Sequence, residues 1–287
     1  MKIQVPASSA NLGPGFDSIG IAVSMYLHLT VVEPSSEWRV DHRLGNLPHD
    51  RQNMIVKTAL KVAPELTPYH LKVESAIPVT HGLGSSSSAI VAGIELANQL
   101  AKLNLSNETK VEIASQIEGH PDNVAPAILG GLVVGTEVND HFTAVKAPLP
   151  PFDLVAYIPA YNLATKKARA ALPNELAYHH AIHASAVANT LVAALFKPDY
   201  AVAGELMEAD EFHEGYRAAL VPELAKVREI AHDHDAVATY LSGAGPTIMT
   251  LINHDQVANL ITALRNHHLN NRIEVLHPDQ AGVTVDK

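Results

Sequence analysis

The chain reads as an α+β protein built in two lobes. Strand-type runs with intervening helices precede Pro148, and a second alternation of strands and helices restarts after it. Between them lies a proline-rich break, "APLPPFD", at 147–153. The 287 residues are 47% apolar and 17% charged, which supports a sizeable core in one large domain or two ordinary ones. The lobes are therefore placed at 1–150 and 151–287.

Ile3, Gln4 and Val5 open a strand. The next fifteen residues, "PASSANLGPGFDSIG" (6–20), read as a loop because prolines and glycines punctuate them. Residues 22–32 are β-rich and partly alternating. Residues 53–63 have helical spacing, and 69–76 alternate as a strand does. A helix is predicted over 86–102 and a second over 110–117, and "PAILGGLVVGTEV" (126–138) reads as a turn into a strand. After the seam, 154–158 is an apolar strand. Helices are predicted over 180–196, 201–213 and 222–232. Strands at 240–242 and 247–252 flank a glycine turn, and 255–267 is helical again.

The bulk chemistry excludes several classes. The formal net charge of −10 argues against broad nucleic-acid binding, although it leaves room for a locally positive anion site. There are no cysteines, so disulfides, thiol catalysis and cysteine-held zinc are out, and a reducing cytoplasm is the expected location. The first residues lack a signal-peptide apolar core, and no apolar run has the length of a membrane span. Seventeen histidines invite a metal reading. Clusters such as His179, His180 and His183, or His232 and His234, lie in polar stretches without HExxH, and read as solvated surface.

The most informative stretch is "HGLGSSSSAIVAGIELANQL" (81–100). A helix N-terminus carries unpaired N–H groups and roughly half a positive charge. Gly82 and Gly84 ahead of it remove side-chain obstruction, so the backbone can wrap an anion. Ser85, Ser86, Ser87 and Ser88 add hydroxyls that cap the helix, bind phosphate or ligate a hard cation. The plain alternative is a serine cap after a glycine turn. As a phosphate cradle it is neither a Walker A loop, which ends in GK[ST], nor a GxGxxG fingerprint.

"IPVTHGLGSSSSA" (77–89) resembles the second motif of the GHMP kinases. "VPASSANLGPGFD" (5–17) resembles their first motif and "LSGAGPTIMTL" (241–251) their third, in the family's order across nearly the whole chain. "PASSANLGPGFDSIGIAV" and "EGHPDNVAPAILGG" (118–131) are most similar to the branch that phosphorylates L-homoserine. The resemblance implies a ribosomal protein S5 domain 2-like N-terminal lobe and a ferredoxin-like C-terminal lobe. It implies ATP and Mg²⁺, formation of O-phospho-L-homoserine for threonine biosynthesis, and a homodimer. Nucleic acid and membrane are not expected partners.

Site residues follow from the matched motifs. Asn11 and Asp17 are implied to hold the substrate's amino and hydroxyl end, with His120 as a further contact. Arg169 in "TKKARAALP" and Arg217 in "FHEGYRAALVP" match a carboxylate clamp, and Thr165 its neighbour. Asn53 matches a reader of the adenine ring. Pro78, His81, Gly82, Leu83, Gly84 and Ser85 to Ser88 make up the nucleotide loop. Ser86 and Glu118 are the candidate Mg²⁺ ligands, with Glu112 as the competing carboxylate. Asn123 stands where related enzymes place a catalytic aspartate, so catalysis by positioning is favoured, with Asp122 adjacent. Gly215 replaces an expected proline before Tyr216 and Arg217. Another small-molecule kinase of the family, an inactive relative, and a nucleic-acid binder are the competing readings. The paired arginines, the intact serine loop with Glu118, and the acidic charge count against them in turn.

Overall fold

Two sheets divide the molecule, a computed structural model that describes residues 1–286. The first half of the chain forms β1 (Lys2–Ala10), β2 (Ile19–Pro34), β3 (Arg39–Asp41), α1 (Met54–Val62), β4 (Tyr69–Ser75), α2 (Ser85–Leu100), α3 (Asn107–Glu118), α4 (Val124–Leu129), β5 (Leu132–Val138) and β6 (His141–Ala147). The second half forms β7 (Asp153–Ile158), α5 (Thr165–Ala170), α6 (Tyr178–Phe196), α7 (Tyr200–Met207), α8 (Glu214–Arg217), α9 (Glu223–His232), β8 (Ala238–Leu241), β9 (Ile248–Ile252), α10 (Val257–Asn266), β10 (Arg272–Leu276) and β11 (Thr284–Asp286).

The first sheet runs β11-β1-β2-β4-β3, and the β5–β6 hairpin joins at β2. The sixteen residues of β2 make this possible, since Leu27 to Pro34 pair with β4 while Ile19 to Ile21 pair with β5. The second sheet runs β10-β7-β9-β8, all antiparallel. That is order 4-1-3-2 of a βαββαβ unit, the ferredoxin-like arrangement expected for this half. One correction concerns the division at residue 150. β11 pairs with β1, so the last strand of the chain belongs to the first sheet.

Strand alternation distributes the core. In β7, Leu154, Ala156 and Ile158 join the large cluster shared with the first sheet, while Val155 and Tyr157 face a second cluster under α9 and α10. Several predicted boundaries move. β1 continues past Pro6 to Ala10, because the missing proline donor falls at a register shift between Pro6 and Ala7. Residues 124–129 are helix α4, not a turn, since Pro126 lies in the first turn where its absent N–H is not needed. α7 ends at Met207 rather than 213. Strands β3, β6, β10 and β11 and helix α5 escape the sequence pattern. β6 and β10 carry mixed exposure that blurs a period of two. Among the described residues no helix is long and apolar enough to cross a membrane.

Candidate active site

Gly84 caps α2 in the left-handed conformation, with φ 68°. A Cβ on Gly82 would stand 2.2 Å from the Ser242 carbonyl, and one on Gly84 2.3 Å from the Ser8 hydroxyl. The loop is therefore glycine-only where it meets β1 and the third motif. Its peptides are pinned from behind. Ser242 Oγ donates to Gly82 O at 2.6 Å. That hydroxyl must then accept from Ser9 Oγ (2.8 Å), which in turn accepts from Tyr240 OH (2.9 Å). All three side chains are fully buried, and burial pushes the Tyr240 phenol up, so it stays a donor. Ser8 N–H donates to Leu83 O at 3.3 Å. In a trans peptide the N–H opposes the carbonyl, so the amides of Leu83 and Gly84 turn away from these partners.

The loop borders a cavity of about 360 Å³. Asn11, Asp17, His81, Gly82, Gly84, Ser85, Ser86, Ser87, Glu118, His120, Asn123, Thr165, Arg169 and Arg217 all line it. Pro78, Leu83 and Ser88 do not: Leu83 is core, and Ser88 Oγ is spent on Ser85 O inside the helix. Asn53, matched to a reader of the adenine ring, lies in the cavity wall. Its amide caps α1, accepting from Ile55 N and donating to Pro48 O, so both ends hold backbone partners. Helix-start logic would have found that cap. The sequence reading missed the apolar end of the cavity, formed by Leu27, Leu44, Leu47, Pro48 and Met54 with His42. His42 stacks on His49 at 4.0 Å. That surface suits a flat ring.

At the α2 N-terminus, Ser87 Oγ donates to Glu118 Oε1 at 3.1 Å, whereas Ser86 Oγ faces Met54 Sδ. Gly119 ends α3 at φ 95° and leaves Glu118 facing the serines. Burial raises the Glu118 carboxyl above its ordinary range, outweighing the His120 charge and the serine hydrogen bonds. Glu112 is committed elsewhere, accepting from Gln116 Nε2 and Phe142 N–H, and does not line the cavity. His120 Nδ1 pairs with Asp122 Oδ1 at 2.5 Å. Burial lowers its pKa, but the Asp122 hydrogen bond and the charges of Asp122, Asp17 and Glu118 outweigh that and raise it overall. Asn123 links Ser8 to Asp122, at 2.9 and 3.2 Å.

At the opposite wall, Arg169 donates two hydrogen bonds to Asp17, at 2.9 and 2.8 Å. Arg217 is buried and donates Nε to Ala168 O and Nη1 to His213 Nδ1 and Gly243 O. Among the described residues its Nη2 has no protein acceptor. Burial and the Arg169 charge push its pKa down to about 10, so it remains a cation at neutral pH. His213, neutral through burial, donates Nε2–H to Gly13 O. Phe16 lies under both guanidinium groups, 5.5 and 5.3 Å from its ring centre. Asn11 Nδ2 donates to Gly243 O at 3.1 Å and its Oδ1 accepts from Asp17 N–H. A Cβ on Gly215 would meet nothing, and the turn that carries Arg217 forms without the expected proline. Outside this site, the clustered histidines pair with acids: His180 and His183 with Glu211, and His232 with Glu208.

The GHMP kinases N terminal domain signature matches residues 53–131, and the GHMP kinases C terminal signature matches 191–270. Fold and site thus define a GHMP-type kinase. The homoserine kinase of Lactobacillus acidophilus is 61% identical over 99% of this chain and 99% of its own. That of Limosilactobacillus fermentum is 62% identical over 99% and 100%. A Listeria monocytogenes structure assigned as a homoserine kinase is 44% identical, with a TM-score of 0.89, covering 100% of this chain and 99% of that one. The chain belongs to the homoserine kinases of the GHMP kinase family.

Proposed function

We propose that the protein transfers the γ-phosphoryl group of ATP to the side-chain hydroxyl of L-homoserine, giving O-phospho-L-homoserine for threonine biosynthesis. One observation carries this reading above all. A carboxylate and two arginines (Asp17, Arg169 and Arg217) open on the same cavity as the phosphate loop. An α-amino acid needs that combination, whereas a sugar has no carboxylate and mevalonate no ammonium. The apolar slot takes the adenine, and the amides at the α2 N-terminus with Ser85 to Ser87 take the phosphates. Asn11 and Asp17 face the amino end, and His120 and Thr165 complete the pocket.

The donor set at Glu118 fits Mg²⁺, which prefers oxygen. Its carboxylate is poorly hydrated and has no Lys or Arg partner among the described residues, and Ser86 and Ser87 supply hydroxyls beside it. These residues would hold a Mg²⁺ ion, which would neutralise charge on the polyphosphate. Catalysis then rests on alignment and electrostatics. Asp122 is tied to His120 and Asn123, and the Asp122 hydrogen bond with the surrounding carboxylates favours the protonated form of His120. Neither is a free base, and a protonated His120 would stabilise negative charge on the transferring group. The alcohol loses its proton late, to the phosphoryl oxygens. Asn123 positions Asp122. We further propose a cytoplasmic homodimer, supported by the absence of cysteine and by exposed Tyr178, Ile182 and Phe196 along α6.

An ADP-release assay with L-homoserine, D-homoserine, mevalonate and galactose tests the reading. Turnover confined to L-homoserine is expected, and preferential turnover of another alcohol would refute the substrate assignment. Two finer outcomes follow. Ser242→Ala removes the donor to Gly82 O, so KM for ATP should rise about tenfold while KM for L-homoserine stays within about twofold. Steady-state kinetics in both substrates checks this. The His120–Asp122 pair stabilises the fold fully below the ordinary histidine pKa of 6.5 and loses that contribution as pH rises through the raised value. The difference in Tm between wild type and His120→Asn should therefore shrink as pH rises above about 6.5. A constant difference contradicts it.

A further inference from the structure

The Asp17–Arg169 pair raises a problem for any substrate carboxylate. The charge of Arg169 is already paired, because both its terminal nitrogens donate to Asp17, and Arg217 has only Nη2 to offer. In this state the cavity presents one guanidinium without a carboxylate partner among the described residues, not a clamp. Asp17 and Arg169 lie 152 residues apart, on the loop after β1 and on α5, and both line the cavity.

We propose that this ion pair is an internal occupant which the zwitterionic substrate displaces by exchanging partners, and that the exchange makes the site selective for ligands carrying both charges. The substrate carboxylate takes Arg169 and the ammonium takes Asp17. One internal pair is replaced by two pairs to the ligand, and no charged group is left alone. This deepens the reading of L-homoserine as substrate and rests on it.

A ligand with one charge cannot complete the exchange. A lone carboxylate strips Arg169 away and leaves Asp17 without its two guanidinium hydrogen bonds, in a patch it shares with the Asp122 carboxylate, where one ligand atom each of Asp17, His120 and Asp122 lie within 4.8 Å of one another. After Asp17 itself, the charges of Asp122 and Glu118 also reach Arg169. A lone ammonium takes Asp17 and leaves Arg169 unpaired, close enough to Arg217 to depress its pKa. Each half-ligand makes one new pair, breaks one old pair and uncovers repulsion.

The two protein charges can be removed separately. Asn is suited to position 17, where φ is 56°, because it tolerates left-handed backbone. The backbone bond from residue 17 to Asn11 is kept. Turnover of L-homoserine by wild type is measured first. Calorimetric Kd values then follow for L-homoserine, γ-hydroxybutyrate (carboxylate only) and propanolamine (ammonium only), on wild type, Asp17→Asn and Arg169→Gln. On wild type both half-ligands should bind at least about a hundredfold more weakly than L-homoserine. Asp17→Asn should tighten γ-hydroxybutyrate about tenfold while loosening L-homoserine, and Arg169→Gln should do the same for propanolamine. A merely structural role for either residue predicts no gain for any ligand. If both variants weaken all three ligands alike while wild type turns over L-homoserine, the exchange is overturned and the substrate reading stands. If wild type neither binds nor phosphorylates L-homoserine, both fall.

Discussion

Replacing Glu118 by glutamine should lower kcat by about a hundred- to a thousandfold, the scale seen when one preorganised electrostatic element is lost. Glutamine keeps the volume and can still accept from Ser87, whose hydroxyl is 3.1 Å away. What disappears is a charge whose burial raises its pKa and which has no Lys or Arg partner among the described residues. The Mg²⁺ concentration for half-maximal rate should rise in parallel, while Tm moves little. Glu112 provides the contrast, because it holds the Phe142 amide at the start of β6, away from the cavity. A kcat within about fivefold of wild type for Glu118→Gln would remove Glu118 from the cation site.

The second large effect is expected at Arg217, and it combines stability with binding. Arg217→Met fills similar space but leaves Ala168 O and His213 Nδ1 without their donor. Gly243 O keeps its hydrogen bond from Asn11. Two buried acceptors left open cost about 2–4 kcal/mol together. KM for L-homoserine should rise about ten- to a hundredfold, because a charged contact to the carboxylate is gone. Denaturant unfolding and steady-state kinetics on the same preparation check the two parts. Lost stability with an unchanged KM would make Arg217 a scaffold residue alone.

The parts of the site that were legible in the sequence are those that local chemistry writes in one place. Gly82, Gly84 and the serines stand directly before an apolar helix, so the anion cradle and its helix can be read from twenty residues. What escaped is set by contacts between distant segments. The hydroxyl chain from Tyr240 through Ser9 to Ser242 crosses more than two hundred residues of sequence. No local pattern encodes it. The apolar slot uses Leu44, Leu47 and Pro48 from a connection that reads as ordinary loop. Asn53 caps α1, a role signalled by its place directly before a helix. Ser86 and Ser87 are adjacent, and only the helix phase decides which of them reaches Glu118. β11 shows the same limit at the level of the fold. Three residues at the end of the chain carry too little pattern to announce their return to β1.

Phosphorus NMR of the protein with Mg-ATP and L-homoserine tests the central claim most directly, because it reports which atom receives the phosphoryl group. The expected result is a new phosphomonoester signal, coupled to the side-chain methylene protons, that grows in step with ADP. ATP consumed to ADP and inorganic phosphate alone, or no consumption while nucleotide binds, would contradict it.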